Sequence, residues 1–384
     1  MLSQSVSQSA ELTLPYTFMS GFPCRQCRGN RFAVVYSYSF IYLFITLLIK
    51  TIMKLKQFIL LAAFGLTASA TFTSCEDILG HWEKPTPVTP TPSGSEEESI
   101  PGLLTGKFTI NASGDQVQFS QGNLQYQAST KTWRFAENQY DYVGDASNGN
   151  VYVESTKSNN ISISETYTGW IDLFGWGTAG HEFTSGYGTK YQPWETDNTT
   201  GSDYGPTDGT SGLTGTYAEG DWGSNMGTGW RTLTGDTGGE WEYLFNTRSA
   251  STIGTTENAR FAKAKVNNVQ GMILFPDTYT HPDGVTLPTG INDTDDTGWN
   301  GNVYTAANWE KMEAAGAVFL PAAGFRNGTS VSSAGSNGLY WSSSPGGSGP
   351  ANASYVLFRS SSQTPAITSS RDYGYSVRLV RPVE

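Results

Sequence analysis

From Ile100 onward the chain alternates apolar and polar residues with a period of two, the pattern of half-buried strands. In GKFTINASGDQVQFSQGNLQYQ, Phe108 and Ile110, Val117 and Phe119, then Leu124 and Tyr126 alternate with polar neighbours around the turn Ser113-Gly114-Asp115. This predicts a meander of short antiparallel strands, and TWRFAENQYDYVG adds another. The Asn-rich segment 144–164 has no period and reads as a loop.

In two places the period changes to that of a helix. In GGEWEYLFNTRS, Trp241, Leu244, Phe245 and Arg248 fall at i, i+3, i+4 and i+7, one stripe of a short helix, with Glu240 and Glu242 pointing away from it. In TAANWEKMEAAG, Thr305 is the N-cap, Trp309 and Met312 share a face, and Gly316 is the stop. RFAKAKV, GMILFPD and AVFLPAAGF read as strands around these helices. The expected class is α+β with mostly antiparallel pairing.

The stretch from Trp170 to Trp230 follows neither period and is crowded with Gly, Thr, Asp and Trp. Unburied aromatic surface is costly in water, so a free linker would not carry so many indoles. The expectation is a long irregular excursion pinned by Trp170, Trp176, Trp194, Trp222 and Trp230. A carbohydrate-stacking platform is the rival reading, and it requires exposed rings.

Composition narrows the function. A net charge of −11 at pH 7 with no basic patch argues against a nucleic-acid partner. Of the 3 cysteines none follows Cys75, so the globular part contains neither a disulfide nor a thiol nucleophile. His81, His181 and His281 are scattered, with no metal-binding spacing, and Cys24-Arg-Gln-Cys27 has no second CxxC. Asn292-Asp293-Thr294-Asp295-Asp296-Thr297-Gly298 is a weak calcium candidate through Asp293, Asp295 and Asp296, read equally as an acidic solvated turn.

The N-terminal part reads as targeting and tether. Residues 1–52, with the apolar run Phe32 to Ile49, are either an over-extended start or a transmembrane anchor. From Met53, two lysines, the apolar run Phe58 to Leu66 and small residues lead to Cys75, followed by Glu76 and Asp77. Residues 53–74 resemble a Bacteroidetes-type lipoprotein signal peptide. The resemblance implies lipidation at Cys75 and a surface-exposed position on the outer membrane. An uncleaved membrane helix is the alternative, although the apolar run is shorter than the ~20 residues of a span. Residues 75–99, with KPTPVTPTPSGSEEES, form a stiff Pro/Thr tether ending in acidic residues.

The succession GWRTLTGDTGGEWEYL, AVFLPAAGFRNG, GLYWSSSP and DYGYSVRLVR resembles the motif order of the Fibrobacter succinogenes major paralogous domain. That family belongs to the C-type-lectin-like group that includes formylglycine-generating enzymes. The resemblance implies a C-type-lectin-like fold over residues 100–381. Formylglycine generation uses active-site cysteines, so the resemblance does not extend to that activity, and no enzyme is expected.

It also directs attention to 338–381, where YWSSS and SVRLVR bracket a stretch rich in Ser, Thr and Tyr. The side chains between Ala351 and Tyr375 are mostly those reachable from an asparagine AAC codon by changing its adenines. This resembles the cassette of a diversity-generating retroelement, and a plain polar loop with an edge strand is the other reading. Tyr and Ser are also favoured at binding surfaces. The expected ligand contacts are Tyr355, Phe358, Arg359, Gln363, Thr364, Ile367, Asp372, Tyr373 and Tyr375, with Trp341, Val377 and Leu379 as framework. The expected function is capture of a protein or glycan by a lipid-anchored surface protein. The alternatives are a structural adhesin or fimbrial-tip subunit and a glycan-active enzyme.

Overall fold

The computed structural model describes residues 100–145, 150–151, 160, 164–195, 200–295, 298–347 and 349–384. Cys24, Cys27, the signal segment 53–74, Cys75, the tether with His81, and Asp296 lie outside them. The chain divides after Ser93 into two units, and every described residue belongs to the second, Gly94–Glu384.

The class is α+β, with short, mostly antiparallel strands and few helices. Strands β1 (Leu103–Thr109) and β2 (Gln116–Ser120) form a hairpin, and β16 (Val380–Pro382) pairs antiparallel with β2, so the chain's last strand closes on its first hairpin. The hairpin turn is held by Asn111, whose side-chain oxygen accepts from the backbone N–H groups of Ser113 and Asp115. Strands β3 (Leu124–Gln127) and β4 (Thr132–Phe135) form a second hairpin, and β5 (Gly144–Asp145) pairs with β6 (Asn150–Val151).

A four-stranded sheet runs β10-β8-β7-β9, made of β7 (Phe261–Val266), β8 (Val269–Leu274), β9 (Val303–Tyr304) and β10 (Val318–Pro321). Asn267 and Asn268, both at positive φ, turn β7 into β8, the conformation of the tight turns that match strand twist. Helix α1 (Glu240–Asn246) buries Trp241, Leu244 and Phe245, and Arg248 is also fully buried just beyond its end. Helix α2 (Ala306–Ala314) buries Trp309 and Met312; the Thr305 hydroxyl accepts from Asn308 N at 3.2 Å as the cap, and Gly316 ends the segment at φ +92°. Short β11 (Phe325–Asn327) and β12 (Ser330–Ser332) form a further hairpin.

The C-terminal sheet is β13 (Asn337–Pro345), β14 (Asn352–Arg359) and β15 (Ser362–Ser370), in that order. Strand β14 separates two cores. Val356 and Phe358 belong to a cluster with Phe108, Phe119, Trp241, Phe245 and Leu320, while Ala353, Tyr355 and Leu357 belong to one with Phe174, Trp176, Trp222 and Trp341. A strand buried on both faces loses the in-out alternation, so its sequence shows no single core pattern.

Tryptophans pin the irregular excursion as its composition implied. Trp176 and Trp222 are fully buried and Trp230 nearly so, while Trp170 is half-buried under the Arg134 guanidinium at 3.7 Å and Trp194 is half-buried. The excursion is also clasped by buried arginines. Arg371 donates to the carbonyls of Asn352, Tyr204 and Pro206 at 3.0, 3.0 and 2.6 Å and lies over the Trp176 ring at 4.3 Å. Arg326 reaches the carbonyls of Leu173 and Glu195, while a third buried arginine, Arg378, lies outside the excursion and reaches Gln139 Oε1 at 2.8 Å. Burial lowers each guanidinium to about 10, which leaves all three charged at neutral pH.

Asp172 anchors the same region, accepting from Val143 N at 2.7 Å and Asn160 Nδ2 at 2.8 Å. Burial pushes its carboxyl up to about 6, against the opposing pull of these hydrogen bonds. A carboxyl whose folded value exceeds its unfolded one stabilises the fold most at low pH, and that contribution is lost as pH rises through the folded value. Unfolding free energy measured from pH 4 to pH 6.5 is therefore expected to fall by about 2 kcal/mol more in the native protein than in Asp172→Asn, since a full pH unit between the unfolded and folded values is worth about 1.4 kcal/mol. Parallel curves would contradict this account.

Candidate functional site

The C-terminal motifs are joined by a dense polar seam. In the YWSSS motif, Ser342 Oγ donates to Ser354 O at 2.7 Å, Ser344 Oγ donates to Asp236 Oδ1 at 2.9 Å, and Ser342 O accepts the Trp176 indole N–H at 2.8 Å. Backbone N–H groups of Leu213 and Ser343 complete it, donating to Ser343 O and Leu233 O. Upstream, Thr234 and Glu240 exchange hydrogen bonds at 2.9 Å each, closing the Gly-rich insertion between them into a loop at the start of α1. Glu240 also takes both terminal nitrogens of Arg231 at 2.7 and 2.6 Å. Away from the apolar stripe, Glu240 does not reach free solvent: it is a half-buried partner of Arg231, while Glu242 caps the exposed Gly238 N–H at 2.6 Å.

Burial divides the expected contact residues. Arg359 is exposed, and Thr364, Ile367 and Tyr373 are half-buried. Phe358 is fully enclosed, stacked on Tyr340 at 5.9 Å and edge-on to Trp299 at 6.3 Å, and is part of the core. Tyr355, Gln363, Asp372 and Tyr375 are buried as well. Asp372 accepts a short hydrogen bond from the Ser370 hydroxyl. The Tyr355 and Tyr375 rings lie 4.8 Å apart, and burial raises both phenols, which stay neutral. Trp341, Val377 and Leu379 are framework, all buried in the second core.

An aromatic step reaches the surface here. Trp341 lies 4.2 Å from Tyr375, Tyr375 is stacked on Tyr373 at 6.1 Å and 7°, and half-buried Phe325 meets Tyr373 edge-on at 5.8 Å. Phe325 is a member that sequence reasoning did not place in the contact set; its place at the end of the strand-like AVFLPAAGF gave no signal of a surface ring. Beside the step runs edge strand β15. Tyr355 pairs with Ile367 but Leu357 with Thr364, so β15 bulges at Pro365-Ala366. A proline and a bulge both discourage addition of a further strand to this edge.

The acidic run is held from within. Lys263, buried in β7, donates to the carbonyls of Thr294 and Ser360 at 2.9 and 3.1 Å, and Asp293 Oδ1 accepts from Asp295 N at 2.8 Å. Among the described residues no group of three His, Cys, Asp or Glu side chains could hold a metal. His181 meets Glu219 at 2.7 Å, and His281 lies between Tyr279 and the Val285 carbonyl.

A family model described as a domain of unknown function (DUF8237) matches residues 296–380. The matched segment contains α2 and β10 to β15, and with them the polar YWSSS motif, both cores' shared strand and the aromatic step. No curated protein and no solved structure matches the chain. Among the described residues no helix is long and apolar enough to cross a membrane.

Proposed function

We propose that this chain is a tethered ligand-binding protein of the cell surface, whose C-type-lectin-like domain captures a protein through β15 and the aromatic step. The observation that carries this reading is the half-buried pair Phe325 and Tyr373, seated on the buried rings of Tyr375 and Trp341, with Ile367 packed half-buried against the same cluster. Rings fixed from beneath lose little conformational entropy when a partner covers them, which is what a contact residue needs. Arg359 and Thr364 supply adaptable polar contacts on the same sheet.

Within this proposal, diversification of the segment is confined to its accessible positions, because replacing Val356 or Phe358 would disturb a core. Binding is favoured over turnover because the best-placed carboxylates are committed elsewhere, Glu240 to Arg231 and Asp221 to Thr232. The strand-donating adhesin is disfavoured at β15 by Pro365 and the bulge.

The test is made on intact cells. A photo-crosslinking amino acid at Tyr373 is expected to give a discrete adduct that the same residue at Ser113 does not, and Cys75→Ala is expected to release the chain from the membrane fraction. No adduct from position 373, or identical adducts from both positions, would overturn the binding face; retention of Cys75→Ala in the membrane would overturn the anchor.

A further inference from the structure

A second aromatic site lies away from the C-terminal sheet, where the β3–β4 hairpin faces the loop through Gln192. There a cleft of about 390 Å³ is lined by Tyr126, Lys131, Trp133, Glu165, Gln192 and Trp194, with Asn225 at its edge. That volume falls within the range of small-ligand sites, about 300–1,000 Å³. Tyr126 and Trp133 are directly opposed across the hairpin with ring centroids 4.4 Å apart, and Trp194 lies nearly parallel to Tyr126, at 6.1 Å and 16°. Tyr126 is buried as the floor, whereas both indoles are half-buried.

The walls are built before any ligand arrives. Trp133 rests on buried Phe174 at 5.5 Å, and Tyr126 exchanges both backbone hydrogen bonds with Ile171 at 2.9 Å. The opposite wall is tied down twice: Gln192 N donates to Glu195 Oε2 at 2.9 Å, and buried Arg326 donates to Glu195 O at 2.9 Å. Asn225 Nδ2 is bonded to Ala179 O at 2.9 Å, which orients its amide. Lys131 adopts the left-handed conformation at the hairpin turn, at φ 53°.

We propose that this cleft binds a neutral glycan, with a pyranose ring laid on the indole faces of Trp133 and Trp194. The weakly polar C–H face of a pyranose suits an aromatic ring, whose face is electron-rich. Its hydroxyls both donate and accept, which matches a rim that offers the Glu165 carboxylate as acceptor, the Lys131 ammonium as donor and the Gln192 amide as both. The rim carries one acidic and one basic side chain, a formal charge of zero that suits a neutral ligand.

The test is isothermal titration of the full chain with neutral tetrasaccharides of glucose, mannose, galactose and xylose. At least one is expected to saturate the protein. Trp194→Ala is expected to weaken that binding about tenfold, and Gln192→Ala several-fold with no change in melting temperature. If Trp194→Ala fails to fold, Gln192→Ala and Glu165→Ala at the rim carry the decision. Tyr373→Ala is expected to leave sugar binding unchanged, so failure here and failure of the C-terminal contact face are separable. Heatless titrations at millimolar sugar, native-like binding by the rim variants, or loss of binding in Tyr373→Ala would overturn the proposal.

Discussion

Arg371→Ala is expected to lower unfolding free energy by about 3–5 kcal/mol, the scale set by leaving several buried carbonyls without a donor at about 1–3 kcal/mol each. Arg371 is fully buried and clasps three carbonyls that come from two distant parts of the chain, Tyr204 and Pro206 in the excursion and Asn352 at the start of β14. Without the guanidinium those carbonyls lose their donor, and the Trp176 ring loses the cation lying 4.3 Å from its centroid. Arg371→Lys keeps the charge but has one nitrogen in place of a planar fork, so it is expected to recover less than half of the loss. Urea unfolding of the three proteins provides the measurement, and a loss below about 1 kcal/mol for the alanine variant would show the clasp to be dispensable.

Phe358→Ala is expected to be comparably severe, at about 3–5 kcal/mol, the usual cost of emptying a phenylalanine site in a core. Its ring fills the space above Gly338, where a Cβ would stand only 2.0 Å from the ring, and it packs between Tyr340 and Trp299. Arg359→Ala, one residue further and exposed, is expected to stay within about 0.5 kcal/mol of the native protein. Thermal unfolding of this adjacent pair distinguishes core from contact surface directly. Equal stability of the two variants would return Phe358 to the set of ligand contacts.

These two residues mark how far the sequence could be read. Helices α1 and α2 were legible because each buries a single stripe against one core, and the 3.6 period survives in Trp241, Leu244 and Phe245 and in Trp309 and Met312. The Thr305 cap was legible because capping is local. The first hairpin was legible for the same reason, since its turn closes within five residues around Asn111. The β7–β8 hairpin was foreseen as two strands, and its Asn267-Asn268 turn follows from the tolerance of asparagine for positive φ.

The C-terminal segment was misread in part because its middle strand serves two cores. With Val356 and Phe358 on one side and Tyr355 and Leu357 on the other, every position from Ala353 to Phe358 is buried, and the run looks permissive although it is enclosed. Glu240 was misread because its partner, Arg231, is reached only after the Gly-rich loop folds back. The cleft at Tyr126, Trp133 and Trp194 joins residues from a hairpin and a distant loop, which no periodicity connects.

By itself the sequence determined the class, α+β with short antiparallel strands, the positions of α1 and α2, the anchoring role of the tryptophans and the absence of any cysteine beyond Cys75. Those properties depend on local periodicity, on the cost of exposing indoles and on composition, all of which are carried by neighbouring residues. Tertiary structure alone decided which tyrosines and phenylalanines reach the surface, which arginines are buried clasps, and where aromatic rings converge into a cleft. Each of these depends on contacts between residues far apart in the chain, where burial on both faces of a strand erases the alternation that sequence reading requires.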